Sequence, residues 1–208
     1  MNLIHAYETL FGSEDTMYHT AITKDRYSGK YPLPASDKGT AHSYLNKYND
    51  LFKSYTTNPN LNVLEIGICQ GGSIALWHEY FLNANVIVGI DNGYAYNILE
   101  NDSELCKVLP EYSLWIDKLD YIFSKYPKSK LVHYADAYTE SSVRYVNWLT
   151  GNMGYDIIID DGSHLTHHQV YVLQEYIKLL TPNGVLVIED CNPEQLSQIE
   201  LPQGFVKS

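Results

Sequence analysis

Two adjacent carboxylates and a histidine, Asp160, Asp161 and His164, follow a run of three isoleucines at residues 157–159. An uninterrupted β-branched run is typical of a parallel strand that helices cover on both faces. The acids would then lie at the carboxyl end of that strand, where open α/β sheets bind their ligands. Carboxylates and an imidazole at such a place could hold a metal ion and move a proton.

A second pair of acids, Glu189 and Asp190, ends the apolar stretch at residues 185–188. If the two strands are neighbours, they lie about 4.8 Å apart, so that Asp161 converges with both acids. Three carboxylates repel one another unless a cation joins them, and hard oxygen ligands suit Mg²⁺ or Mn²⁺ better than zinc. We therefore predict a metal site formed by Asp161, Glu189 and Asp190. Taken singly, each acid could instead be a solvated or capping group.

Three histidines, His164, His167 and His168, lie close together after the isoleucine strand. Thr166 and Gln169 have the spacing of a capping box, so we expect a helix to start there and His164 to lie before it, near the metal. A zinc site from the three histidines is not favoured, because the His-Glu-x-x-His pattern of metalloproteases is missing. His167 and His168 could be surface residues or partners of the metal-binding residues.

A glycine-rich turn, with Gly67 and Gly71 followed by Gly72 and Ser73, joins an apolar strand at 63–66 to the next helix. Such a turn lets a ligand approach the backbone closely and meet the first N–H groups of the helix, although it can also serve helix packing alone. The dinucleotide fingerprint would need glycine at position 69, which is cysteine. Asp91 ends the next strand, where an acid can accept both hydroxyls of a ribose, and this predicts an adenosine-type ligand.

Strands and helices alternate from residue 62 onward, which predicts a doubly wound parallel α/β sheet. We expect residues 61–208 to form this domain and residues 1–60 to form an irregular N-terminal arm that leads into a helix over 41–55. A loop at 92–109 is long enough to be a functional lid. The strands are expected at 63–66, 86–90, 131–134, the isoleucine run and 185–188, and the helices at 73–81, 111–126, 141–149 and 167–180.

The net charge of −11, with only 14 lysines and arginines, argues against nucleic acid or an anionic membrane as the main partner. No apolar run approaches the roughly 20 residues that span a bilayer. The three cysteines, Cys69, Cys106 and Cys191, lack metal-site spacing, and no signal-peptide core follows Met1. We expect a cytoplasmic protein that acts on a small or neutral substrate.

Residues 62–190 resemble the class I S-adenosylmethionine-dependent methyltransferases. The resemblance is carried by the motifs Val-Leu-Glu-Ile-Gly at 63–67, Val-Gly-Ile-Asp at 88–91 and Ala-Asp-Ala at 135–137. It implies a Rossmann-like sheet of order 3-2-1-4-5. Asp-Asp-Gly-Ser-His at 160–164 with Glu189 and Asp190 is similar to the metal-dependent sugar O-methyltransferases, and residues 37–44 are similar to the segment of that group that folds over the cofactor.

The resemblance implies that S-adenosylmethionine is the cofactor. Asp136 would lie near the adenine amine and Asp160 would take the methionyl ammonium. The residues implied to hold the cofactor are Lys38, His42, Tyr44, Glu65, Gly67, Gly71, Ser73, Asp91, Asp136 and Asp160.

The implied reaction is Mg²⁺-dependent transfer of a methyl group to a hydroxyl of a sugar, such as rhamnose in a glycan or glycoside. His164 would accept the hydroxyl proton, and Asp161 would hold the metal that lowers the pKa of the hydroxyl. One alternative is a catechol-like or other small-molecule O-methyltransferase. A non-catalytic nucleotide-binding module and an oxidoreductase with a degenerate fingerprint also stay open. Messenger-RNA cap methylation would need a Lys-Asp-Lys-Glu arrangement. It is disfavoured, because no lysine lies between Lys130 and Lys178.

The chain departs from this family after the fifth strand. A complete methyltransferase sheet continues with a helix and an antiparallel hairpin, for which residues 191–208 are too few, although Gly204, Phe205 and Val206 could begin a sixth strand. We expect the hairpin to be truncated. The chain would then belong to a larger protein, for instance one with glycosyltransferase domains, or form a homo-oligomer that covers the open edge.

Overall fold

The computed structural model describes residues 2–11, 36–39, 44–69, 71–93, 123–192 and 194. Within them, five parallel strands form one sheet of order β3-β2-β1-β4-β5, which confirms the predicted α/β class and strand order. The strands are β1 (Asn62–Ile66), β2 (Val86–Asp91), β3 (Ser129–His133), β4 (Tyr155–Asp160) and β5 (Leu180–Ile188).

The three inner strands are buried on both faces, because successive apolar side chains enter different hydrophobic clusters. Ile157 and Ile159 of β4 pack in one cluster, and Ile158 packs in the other. Asp160, the last residue of β4, lies opposite Ile66 of β1 and Ile188 of β5. The ends of these three strands are therefore level, and the residues that follow them meet at one edge of the sheet.

Helices cover both faces of the sheet. The helices α1 (Leu3–Phe11), α2 (Leu45–Phe52) and α3 (Gly72–Tyr80) contribute to one cluster, and α4 (Glu140–Leu149) and α5 (Thr166–Glu175) contribute to the other. Within the described parts of the chain, none of these helices has the length and hydropathy of a membrane span.

Residues 3–11 form a helix in a part of the chain where the sequence predicts an irregular arm. Helix α1 buries Leu3, Ala6, Tyr7 and Phe11, whose three- and four-residue spacing is that of one helix face. These side chains pack in the same cluster as Trp77 of α3. The predicted helix over 41–55 is observed as α2, which continues as a 3₁₀ turn at Lys53–Tyr55.

Two local predictions after β4 are wrong. Helix α5 has Leu165 at its N-cap without a side-chain cap, so Thr166 and Gln169 do not form a capping box. Gln169 is buried instead, and its Nε2 donates to the carbonyl oxygen of Glu189 at 3.3 Å. The helix also ends earlier than expected, at Glu175. A 3₁₀ turn follows it, and β5 begins at Leu180 with a register irregularity against β4.

Several predictions lie outside the described residues. They concern the 94–109 part of the long loop, the 111–122 part of the following helix, His42, and the sixth strand at 204–206.

Candidate functional site

A cleft of about 660 Å³ opens at the carboxyl ends of the strands. Its walls come from the turn after β1, the end of β2, the segment after β3 and the segment after β4. The lining residues include Ser36, Gly67, Ser73, Asp91, Asp136, Tyr138, Asp161 and His164. A concave, largely preformed cleft of this size is typical of a small-molecule or cofactor site.

The glycine-rich turn after β1 forms the floor of the cleft. Gly67 has φ +78°, and a Cβ there would collide with the carbonyl oxygen of Asp161. Gly71 has φ +79° and directly precedes α3, whose first residues Gly72 and Ser73 line the cleft. Glycine is therefore required for both the turn and the close packing, and the turn places the N-terminus of α3 at the cleft, as in anion- and cofactor-binding helices.

Asp91 at the end of β2 fastens this turn. Its Oδ2 accepts from the backbone N–H groups of Ile68 and Cys69, both at 3.1 Å, and its Oδ1 accepts from that of Gly93 at 2.7 Å. The Asp91 carboxylate also lines the cleft. Asp91 is thus held in a fixed orientation by charge-assisted bonds while it faces the cleft.

Tyr138 connects the segments after β3 and β4, and the sequence did not single it out. Its hydroxyl donates to Oδ1 of Asp160 at 3.2 Å and accepts from the N–H of Ser163 at 3.1 Å, and its ring stacks on His168 at 3.8 Å. Asp136 accepts from the Tyr138 N–H at 2.9 Å. The position of Tyr138, directly after the Ala-Asp-Ala motif, was the available signal.

Asp160 is only 3% exposed. Burial raises its pKa to about 6, although the hydrogen bond from Tyr138 opposes this shift. A carboxyl group with such a pKa is mostly ionised at neutral pH, and it would be stabilised further by a cationic ligand.

Apart from Asp160, the acids near the ends of β1, β4 and β5 fall into two groups that share Asp161. We call the first one, Glu65, Asp161 and Glu189, the inner acid group. Lys38 lies between its members: Nζ is 2.5 Å from Oε1 of Glu189, 2.6 Å from Oδ2 of Asp161 and 3.3 Å from Oε1 of Glu65. The hydroxyl of Tyr48 also donates to Oε1 of Glu189. Lys38 and Glu65 are fully buried, so they lie in the protein interior, while Asp161 reaches the cleft wall.

Burial alone would lower the pKa of Lys38, but the attraction of Glu65, Asp161 and Glu189 raises it above its ordinary value. The lysine therefore stays charged. Burial raises the pKa of Glu65 to about 7, although Lys38 opposes this shift. Burial likewise raises the pKa of Glu189 against the opposing effect of Lys38.

The outer acid group consists of Asp161, His164 and Asp190. Oδ1 of Asp161 lies 3.3 Å from Nε2 of His164, and Oδ2 of Asp190 lies 3.6 Å from Nδ1. The hydroxyl of Tyr44 donates to Oδ1 of Asp190 at 2.8 Å. The hydrogen bond with Asp161 raises the pKa of His164. Since Asp161 and His164 line the cleft, this group can act on a molecule bound there.

The structure brings some of the predicted site residues together and separates others. Gly67, Ser73, Asp91 and Asp136 line the cleft. Asp161 belongs to both acid groups, whereas Glu189 and Asp190 lie in different ones. The remaining predicted cofactor residues lie around the acid groups or the glycine turn rather than along the cleft wall: Lys38 and Glu65 in the inner group, Tyr44 on Asp190, Asp160 beneath Tyr138, and Gly71 before α3.

No family model matches the chain. One curated relative is the 8-demethyl-8-alpha-L-rhamnosyl tetracenomycin-C 2'-O-methyltransferase of Streptomyces olivaceus. It is 27% identical over 162 residues, which cover 74% of this chain and 35% of the relative.

Two solved structures of the MycE methyltransferase from the mycinamycin biosynthetic pathway are also similar. One contains Mg and SAH, and the other contains Mg, SAH and mycinamycin VI. Each is 20% identical with a TM-score of 0.54, and the match covers 91% of this chain and 37% of the MycE chain. The chain thus spans about a third of the length of these proteins. It has the fold of the class I S-adenosylmethionine-dependent methyltransferases and resembles, in sequence, the sugar O-methyltransferases of that superfamily.

Proposed function

We propose that the chain transfers a methyl group from S-adenosylmethionine to a hydroxyl of a sugar, in a reaction that depends on Mg²⁺. The observation that carries this proposal is His164, which lies between Asp161 and Asp190 in the wall of the cleft. A deoxysugar such as rhamnose is the proposed acceptor, and the name of the Streptomyces olivaceus relative, which is a rhamnosyl 2'-O-methyltransferase, supports this choice.

The cofactor would lie along the cleft, with its ribose at Asp91 and its adenine amine at Asp136. Both carboxylates line the cleft, and both are oriented by backbone N–H groups. Asp160 would balance the methionyl ammonium. Its burial favours this role, because an ionised carboxylate in an apolar surrounding gains most from a nearby cation.

The outer acid group suits a divalent cation. Its three potential ligand atoms lie within 4.8 Å of one another, and two of them are carboxylate oxygens, which Mg²⁺ prefers. Asp161 and Asp190 would hold the ion beside the cleft. When bound, it would supply Lewis-acid chemistry that lowers the pKa of the acceptor hydroxyl.

His164 would accept the proton of that hydroxyl as the oxygen attacks the methyl carbon. In such a transfer the O–C bond would form as the S–C bond of the sulfonium breaks, and the departing thioether sulfur would be neutral. Asp161 and Asp190 would orient the imidazole and stabilise its protonated form. An imidazole at this position can accept a proton at neutral pH.

The test is a radiolabelled methyl-transfer assay on rhamnosyl glycosides and on catechols, with Mg²⁺ or with a chelator. His164→Ala should lower kcat about 100- to 10,000-fold while the calorimetric affinity for S-adenosylhomocysteine stays unchanged. His167→Ala, which changes an exposed histidine next to the site, is the matched control. An unchanged kcat in His164→Ala would refute the role of the base. Transfer to catechols alone would refute the sugar acceptor, and cofactor binding without any transfer would indicate a binding module.

A further inference from the structure

The loop between β4 and α5, residues 161–165, carries both Asp161 and His164 at the wall of the cleft. His164 has φ +58°, and a non-glycine residue keeps such a conformation only where the surrounding contacts enforce it. The proposed reaction needs the imidazole at a fixed place beside the cofactor. The contacts that hold this loop therefore determine where the imidazole lies.

Tyr138 holds the start of this loop by several contacts. Its hydroxyl donates to Oδ1 of Asp160 at 3.2 Å and accepts from the N–H of Ser163 at 3.1 Å. Between these two bonds the backbone passes so close that a Cβ on Gly162 would lie 2.2 Å from the hydroxyl oxygen. The Tyr138 ring stacks on His168 at 3.8 Å, and Nδ1 of His168 is 2.6 Å from Oγ of Ser163. Ser163 is thus held at its N–H by Tyr138 and at its hydroxyl by His168.

Tyr138 is itself anchored on the other side of the cleft. Oδ1 of Asp136 accepts from the N–H of Tyr138 at 2.9 Å, and the carbonyl oxygen of Asp136 accepts from the Ser142 hydroxyl at 2.6 Å. The carbonyl oxygen of Ala137 accepts from the buried hydroxyl of Tyr176 at 2.6 Å. The segment after β3 is therefore fixed to α4 and to the 3₁₀ turn that follows α5, and Tyr138 reaches the loop from this fixed segment.

We propose that Tyr138 is a positioning residue: its hydroxyl links the side of the cleft at Asp136 to the loop, so that a molecule bound at Asp136 also fixes the place of His164. The only hydrogen that the hydroxyl can donate goes to a protein carboxylate, so its role is to hold the loop. The effect on the base rests on the proposed function. The link and its response to a ligand can be measured without methyl transfer.

The experiment measures amide hydrogen exchange in the loop by NMR, in the original chain and in Tyr138→Phe, with and without adenosine. Adenosine lacks the methionine part of the cofactor, so it can occupy the Asp91 and Asp136 end of the cleft without an ammonium for Asp160. Tyr138→Phe keeps the ring that stacks on His168 and removes only the hydroxyl. Without ligand, the Ser163 amide should exchange about fivefold faster in Tyr138→Phe, as expected when one hydrogen bond is lost.

Adenosine should slow the exchange of the Ser163 and His164 amides at least about threefold in the original chain and have no effect in Tyr138→Phe. Tyr171→Phe is the matched control, because it removes a hydroxyl from the neighbouring ring, which meets that of Tyr138 edge-on at 6.5 Å. The control should behave as the original chain does. Equal exchange in the original chain and in Tyr138→Phe would overturn the proposal, and so would an adenosine effect that survives the loss of the hydroxyl.

In the methyl-transfer assay, Tyr138→Phe should lower kcat about tenfold and change the KM of the acceptor less than about threefold, because the base is misplaced while the acceptor still binds. An unchanged kcat would overturn the role in positioning the base. Absence of transfer in the original chain would refute the proposed function, and the exchange data would then decide the link alone. If adenosine binds to neither protein, the cofactor placement fails and so does the proposed coupling.

A second variant reaches the same contact from the loop. If Tyr138→Phe does not fold, Gly162→Ala decides, because its methyl group would collide with the Tyr138 hydroxyl and displace it. Gly162→Ala should also speed the exchange of the Ser163 amide and abolish the effect of adenosine on it. Exchange as in the original chain would contradict the proposal.

Discussion

At the amino ends of the strands, Asp156 accepts one hydrogen bond on each carboxylate oxygen, from the N–H of Asn62 at 2.9 Å and from the Thr181 hydroxyl at 3.0 Å. At the carboxyl ends, Asp161 divides its oxygens between the ammonium of Lys38 and the imidazole of His164. Asp156 thus links its own strand β4 to β1 and β5 through neutral donor groups. Asp161 belongs instead to a cluster of charged groups at the cleft, and this difference separates a structural acid from one with a proposed function.

Backbone strain follows the same division. Non-glycine residues with positive φ are uncommon, and when they cluster they often mark functional sites. At the carboxyl edge, Cys69, His164 and Asp190 have φ of 46°, 58° and 51° and lie in the cleft or the outer acid group. Tyr134, just past β3, also has positive φ, and Asn152 lies before β4 at the opposite edge. The strain thus lies mainly where the proposed chemistry takes place.

The largest expected effect compares Asp161→Asn with Asp156→Asn. Asp161→Asn removes the charge that both Lys38 and His164 contact, so methyl transfer should fall at least about 100-fold. Asp156→Asn makes the same chemical change at the amino edge and should alter kcat less than about threefold. Both rates are measured with the radiolabelled assay at saturating cofactor. Similar losses in the two variants would mean that the two edges do not differ in the proposed way.

The next effect concerns the affinity for the cofactor. Asp91→Ala removes the carboxylate that would bind the ribose and also frees the N–H groups of Ile68 and Cys69, so the Kd of S-adenosylhomocysteine should rise about 10- to 100-fold. The Kd is measured by calorimetry. Asp156→Ala is the control, and its Kd should match that of the original chain. An unchanged Kd in Asp91→Ala would refute the role of this acid in cofactor binding.

Much of the sheet could be predicted from sequence, because local patterns determine it. The β-branched run before Asp160, the glycine turn at Gly67 and the acid at Asp91 are short-range signals, and they correctly indicated the parallel sheet and the edge that carries the cleft. The strand order followed from the resemblance to the methyltransferases. The capping box at Thr166 was wrong for a tertiary reason. Gln169 is buried against the backbone of Glu189, and that contact replaces the cap.

The arrangement of charge around the acids could not be predicted in the same way. Lys38 and Tyr48 meet Glu189 across more than 140 residues of sequence, and no local pattern records that contact. The sequence could place the acids at a common edge, but it could not show which of them an internal lysine already balances. Tyr44, at the N-cap of α2, and Tyr48 are four residues apart, and this helical spacing was the available signal for their contacts with the acids.

Two histidines, one near each edge of the sheet, have pKa values shifted in opposite directions. His164 at the carboxyl edge has a raised pKa because of its hydrogen bond with Asp161. His78 lies against Ser129, the first residue of β3, and stacks on Tyr126 at 4.5 Å. Burial, with a smaller contribution from Lys128, lowers the pKa of His78 from 6.5 to about 4.

Since the folded state holds His78 neutral, the unfolded state binds more protons between pH 6.5 and 4. This contribution to stability is therefore fully present above pH 6.5 and is lost as the pH falls toward 4. Between pH 7 and pH 5, the loss of this contribution should lower the free energy of unfolding by about 2 kcal/mol. Urea denaturation at both pH values should show a smaller pH dependence for His78→Gln. An equal pH dependence in the variant would mean that His78 does not titrate in this way.

The smallest expected effect is the stability change in Asp156→Asn. The asparagine retains one acceptor oxygen for the N–H of Asn62, and the hydroxyl of Thr181 can rotate to accept from the new amide nitrogen, so both contacts survive in neutral form. Only the charge-assisted part of each bond is lost, which should cost about 1 kcal/mol in urea denaturation at pH 7. A loss above about 3 kcal/mol would mean that the amino edge also depends on a buried charge, and the distinction between the two edges would then fail.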